Sequence, residues 1–149
     1  MPETKTVERA RQDAREGKSA STQAGEFVRE EMDHIREGKH GARSAKQAIA
    51  IGLSKARRAG VKLAPPKPGQ ASERVRKQAA RDVRKSRSRS TAQPSAARSR
   101  AASKALKDEP HSAASPTALA RHAKQAARKR SKRERSQSAR KAARTRRKQ

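Results

Sequence analysis

In 149 residues, 41 Lys and Arg stand against 14 Asp and Glu, a formal net charge of +27. A chain this cationic repels itself and gains free energy wherever it displaces counterions from a polyphosphate. The absence of Cys excludes disulfide frameworks, thiolate metal sites and cysteine nucleophiles, and no apolar run approaches the roughly 18–20 residues a membrane span requires.

Reading in chain order, Thr4 or Thr6 can cap a short charged helix that runs to about Glu16 and stops at Gly17. Ser21 or Thr22 starts a second helix that continues to Glu37 and stops at Gly38. Its apolar positions Ala24, Phe27, Val28, Met32 and Ile35 recur at helical spacing and form one stripe. A third helix opens on the capping-box pattern Ser44-x-x-Gln47 and closes at Gly60, followed by apolar Val61. Ala45, Ala48, Ile49, Gly52, Leu53 and Ala56 make its stripe. Two striped helices joined by a short loop predict an antiparallel helical hairpin. The large apolar side chains are few, and the core looks too thin for a robust monomer, so self-association, such as a homodimer through this hairpin, or folding coupled to a ligand is expected.

The rest of the chain reads differently. Residues 1–65 carry 14 basic and 9 acidic side chains, net +5, whereas residues 66–149 carry 27 and 5, net +22. Large apolar residues after Pro65 are only Val75, Val83, Leu106 and Leu119, so any packed core is placed before Pro65. The expected fold class is mostly α, with a helical hairpin followed by a largely disordered basic tail that holds conditional helices. The expected organisation is a small helical module over 1–63, a Pro/Gly linker over 64–71, a basic helix over 72–86, a disordered Ser/Ala/Pro-rich linker over 87–116, and an Ala/Arg/Lys-rich tail over 117–149 that becomes helical on binding. The helix of 72–86 has only Val75 and Val83 to bury. The pentapeptide Lys-Gln-Ala-Ala-Arg at 77–81 and 124–128 is a compositional repeat, too irregular for a solenoid.

From residue 117 onward, 14 Lys and Arg oppose the single acid Glu134. Arg121, Lys124, Arg128, Lys129, Arg130, Lys132, Arg133, Arg140, Lys141, Arg144, Arg146 and Arg147 are the candidate phosphate contacts of this tail. Like charges at i,i+4 oppose helix here, and neutralisation by phosphates would release it. A second candidate is the loop 38–44, where Lys39, His40 and Arg43 converge between two glycines just ahead of a helix N-terminus. A third is the outer face of the third helix, where Lys46, Arg57 and Arg58 accompany the small residues Ala50 and Ser54.

Other motifs fail. Gly17-Lys18-Ser19 lacks the earlier glycine and preceding strand of a phosphate-binding loop, and Glu31-x-x-His34 lacks the second pair that a di-iron centre needs. Asp33, His34, Glu37 and His40 could chelate a metal opportunistically, but no metal site and no cofactor is expected. No nucleophile, base and acid suggest a triad, so no enzyme activity is expected. Without aromatic platforms in the basic half, sequence-independent contacts to the phosphate backbone are expected, with DNA placed ahead of RNA as the partner, and no membrane.

The run Glu26-Phe27-Val28-Arg29-Glu30-Glu31-Met32, continuing through His34-Ile35-Arg36-Glu37-Gly38-Lys39-His40-Gly41 and Ser44-Ala45-Lys46-Gln47-Ala48-Ile49-Ala50-Ile51-Gly52-Leu53-Ser54-Lys55-Ala56-Arg57-Arg58-Ala59-Gly60, resembles a family of small basic bacterial proteins. Their domain is catalogued as of unknown function, and some members are labelled DNA-binding. The resemblance covers about residues 1–65 and carries no catalytic or binding residues with it. The second half is similar only in composition to the tails of bacterial histone-like proteins. Together these imply a bacterial cytoplasmic protein associated with the nucleoid, in a histone-like role. Composition leaves an RNA- or ribosome-associated protein open as an alternative, and also a protein-interaction module with a secondary basic tail.

Overall fold

The structure, a computed structural model, describes residues 2–88 and 95–147. Among them the chain is all α: α1 (Thr4–Arg15), α2 (Ala20–Arg36), α3 (Ala45–Arg58), α4 (Glu73–Arg87), α5 (Ala96–Lys107), a short 3-10 helix (His111–Ala114), α6 (Pro116–Arg128) and α7 (Lys132–Arg146).

The first three helices begin and end close to the predicted signals. Ser19 caps α2 two residues earlier than Ser21 and three earlier than Thr22 would, its hydroxyl accepting the Thr22 N–H at 3.3 Å. Ser44 caps α3 through the Gln47 N–H at 3.2 Å, while the Gln47 side chain accepts from Arg43 N–H at 3.0 Å, so the reciprocal arm lands one residue upstream of a strict capping box. Gly60 adopts φ +96°, and the Val61 N–H then reaches back to the Ala56 carbonyl at 3.1 Å, closing the end of α3.

The hairpin forms, and α1 packs on α2. Its apolar residues separate into two clusters. Phe27, Ala24, Ala10 and Ala56 form one, flanked by Val7, Leu53, Val61 and Leu63. Met32, Ile35, Ala42 and Ala48 form the other, and Ala113 and Ala114 complete it, with Val28, Ile49 and Leu119 packed against it.

That second cluster corrects two expectations. The core does not end before Pro65, because the 3-10 helix packs on α2 and α3, and α6 packs on α3. The largely disordered tail is also overturned: α5, the 3-10 helix, α6 and α7 occupy most of 95–147. Residues 89–94, inside the stretch expected to be disordered, lie outside the described residues, as do Met1 and residues 148–149.

The physical reason lies in local signals that outweigh repulsion. Ser95, Ser115 and Ser131 each accept a hydrogen bond from the first turn of the helix that follows, and Pro116 sits at the first turn of α6, where its missing N–H costs nothing. Ser131 and Glu134 form a complete capping box, with Glu134 Oε2 accepting the Ser131 N–H at 2.8 Å. Ala, Arg, Lys and Gln are strong helix formers, and the i,i+4 repulsions between exposed cations amount to only a few tenths of a kcal/mol each. The tail is therefore two helices broken at 129–131, and not one continuous rod.

Helix α4 behaves as neither a free helix nor an apolar one. Val75 is exposed, and the buried residues are Ala79 and Asp82, which face α3. Asp82 accepts from Arg58 Nε (2.8 Å), Ser54 Oγ (2.7 Å) and Gln78 Nε2 (3.1 Å). Val83 is half-buried, and a polar clasp fastens the helix to α3.

Candidate nucleic-acid interface

The three candidate groups of cations meet different fates. In the loop 38–44, Lys39 Nζ lies 2.9 Å from Glu37 and 3.5 Å from Glu3, and the bond to Glu37 raises its pKa. His40 Nε2 faces Glu31 at 3.2 Å, and Arg43 pairs with Glu109 at 3.0 Å. Two backbone donors at the centre of the loop are also taken. Gly41 N–H donates to the Leu106 carbonyl at 2.7 Å and Ala42 N–H to Pro110 at 3.0 Å. A β-carbon on Gly41 would run into the Glu109 carbonyl. The glycine admits a close backbone approach, and what approaches is the chain's own segment 106–110.

The outer face of α3 is covered in part by α4. Lys46 stays exposed. Arg58 reaches Asp82, and Arg57 is buried, its Nε donating to the Leu63 carbonyl at 3.3 Å. Burial lowers the pKa of Arg57, and the charge of Asp82 opposes that shift.

The tail is the opposite case. Leu119, His122 and Ala126 are half-buried and turn one side of α6 inward, leaving Arg121, Lys124 and Arg128 exposed on the other. These three line an open groove of about 590 Å³ with Pro116, Thr117, Ala120 and Gln125. A helical rise of about 1.5 Å per residue spaces them about 4.5 and 6 Å apart along the axis. From Lys129 through Arg147 every described residue is exposed, including Lys129, Arg130, Lys132, Arg133, Arg140, Lys141, Arg144, Arg146 and Arg147. Among the described residues, none of these tail cations is ion-paired within the chain.

The acids account for that. Glu26 pairs with Arg9, Glu30 and Glu31 with Lys55, Asp33 with Arg36, and Glu37 with Lys39. The acidic surface of α2 is therefore spent on cations of the N-terminal helices and not on the tail. The one acid of the tail, Glu134, is held below its ordinary pKa by the Ser131 backbone bond and serves as a cap.

Sequence reasoning missed the buried acids. Glu31 and Asp82 are at most 1% exposed, and Lys55 Nζ sits 2.6 Å from Glu31 Oε2. The available signal was helical spacing: Glu31 lies four residues after Phe27 and four before Ile35, on the apolar stripe.

These features define a cationic all-α protein whose second half presents an unneutralised helical surface. Residues 4–68 match the model of a family of unknown function, DUF6496. No curated protein matches the chain, and no solved structure does. Among the described residues, no helix is long and apolar enough to cross a membrane.

Proposed function

We propose that the protein is a non-enzymatic nucleic-acid-binding accessory, histone-like and nucleoid-associated, that grips the phosphate backbone of duplex DNA through α6 and α7. The observation that carries this reading is the pairing pattern: the acids of α2 are paired with cations of the N-terminal region, while among the described residues the exposed cations of 121–147 have no ion-pair partner within the chain. Unpaired cations on pre-formed helices lose little conformational entropy on binding and release counterions from the polyanion. No aromatic side chain accompanies them, so the contacts position the protein without reading sequence.

The test is fluorescence anisotropy of the full chain on labelled duplex DNA, titrated in salt, with structured RNA as competitor. Engagement of six to ten phosphates gives a slope of log Kobs on log salt of about −5 to −9. Replacing Arg121, Lys124 and Arg128 together with Gln reduces that slope by about 2 to 3. Absence of binding at low salt rejects the proposal, and a strong preference for RNA transfers it to an RNA-associated role.

A further inference from the structure

Glu31, His34 and His40 form a cluster that phosphate binding does not use. Glu31 is 0% exposed, and neither carboxylate oxygen accepts an aligned hydrogen bond. Charge compensates it instead, with Lys55 Nζ 2.6 Å from Oε2 and His40 Nε2 3.2 Å from Oε1. His40 Nδ1 lies 3.0 Å from the Gly41 carbonyl, which can only accept, so Nδ1 carries the proton. In the neutral ring Nε2 then directs a lone pair at a carboxylate oxygen. Two lone pairs facing each other across 3.2 Å call for a cation between them, either a proton or a metal ion.

His34 stands alongside, its ring centroid 6.1 Å from that of His40 at an interplanar angle of 86°. One nitrogen from each ring and one Glu31 oxygen all lie within 4.8 Å of one another. Ligands about 2.0–2.1 Å from a tetrahedral ion are about 3.3 Å apart. The Glu31–His40 pair already has that separation, and the His34 nitrogen, within 4.8 Å of both, has to move inward to join them. Both rings also have the outer partners that metal-bound imidazoles use: the Gly41 carbonyl for His40, and Glu3 Oε1 2.9 Å from Nε2 of His34. The two histidine side chains keep 14% and 16% exposure, which gives an ion a path in.

We propose that Glu31, His34 and His40 bind a divalent metal ion of the zinc class, with two imidazoles, one carboxylate oxygen and a fourth position left to water. Two imidazoles suit a borderline ion over Mg2+ or Ca2+, which prefer oxygen. The ammonium of Lys55 beside Oε2 leaves Oε1 as the donor and keeps the affinity below that of an all-thiolate structural site. The ion ties α2 to the loop 38–44, and so to the segment 106–110 bonded to that loop.

The test uses the untagged full chain, stripped of metal, in the absence of nucleic acid. Calorimetric titration with Zn2+ gives one ion per chain, and His34→Gln and His40→Gln each weaken binding by roughly tenfold or more, in line with the loss of a ligand. His122→Gln, on α6 outside the cluster, leaves the affinity unchanged. Zinc-edge X-ray absorption of the unaltered protein counts two imidazoles, which covers the case of a variant that loses its helical signal. No zinc uptake by the unaltered chain, wild-type affinity in either folded histidine variant, or a first shell without two imidazoles overturns the proposal.

Discussion

Gly52 of α3 lies so close to Val28 of α2 that a β-carbon on the glycine would stand 2.7 Å from the valine Cα. Backbone cannot retreat as a side-chain tip can, so α2 and α3 cross at this distance only because position 52 is bare. Gly52→Val is expected to destabilise the chain by about 1–3 kcal/mol. Gly52→Ala should itself be destabilising, though less than Gly52→Val, because its β-carbon already meets the Val28 backbone and a gain in helix propensity of up to about 1 kcal/mol offsets only part of that strain. Urea denaturation of the two variants checks the order.

Asp82 fastens α4 to α3 through Arg58, Ser54 and Gln78. Asp82→Ala removes three acceptor contacts at a buried position and is expected to cost about 1–3 kcal/mol. Hydrogen exchange should then accelerate along 73–87 while 20–36 keeps its protection. Uniform acceleration of both segments would contradict a local clasp.

Acid should fray the start of α7. The folded-state pKa of Glu134 lies below its ordinary value of 4.5, chiefly through the Ser131 backbone bond. A lowered folded pKa means the cap is intact above the ordinary value and is lost as pH falls through the lowered one. Carbon chemical shifts of residues 132–136 should move toward coil over that acidic window. Glu134→Gln should abolish this component of the titration.

Gly41→Ala is expected to lift the segment 106–110 off the loop, because the new β-carbon occupies the place of the Glu109 carbonyl. The Ala42 amide, now bonded to Pro110 at 3.0 Å, should lose its exchange protection by a large factor. A variant with unchanged Ala42 exchange would argue against the close packing of this segment.

The N-terminal fold was legible because its signals are strong and local. Glycines at 17, 38 and 60 all adopt positive φ where helix ends were expected, and the stripe from Ala24 to Ile35 faces inward. The second half was misjudged because its apolar contribution is alanine. Ala113 and Ala114 are 4% and 0% exposed, yet nothing about two alanines in a Ser/Pro-rich stretch announces a core. The caps of the last helices were readable, since Ser131 and Glu134 repeat the box pattern recognised at Ser44. Repulsion between cations was given more weight than it carries in water. At the loop 38–44 the residues were chosen for convergence, but that their counter-charges lie on Glu3, Glu31 and Glu109 depends on tertiary packing.

Arg36 Nε donates to the Ala114 carbonyl at 3.2 Å, holding a piece of the far sequence over Met32, Ile35 and Ala48. The recognisable domain ends at residue 68, well short of that cover. A fragment cut at the homology boundary would thus present an open greasy cleft to water, and its tendency to clump would reflect the scissors more than the biology.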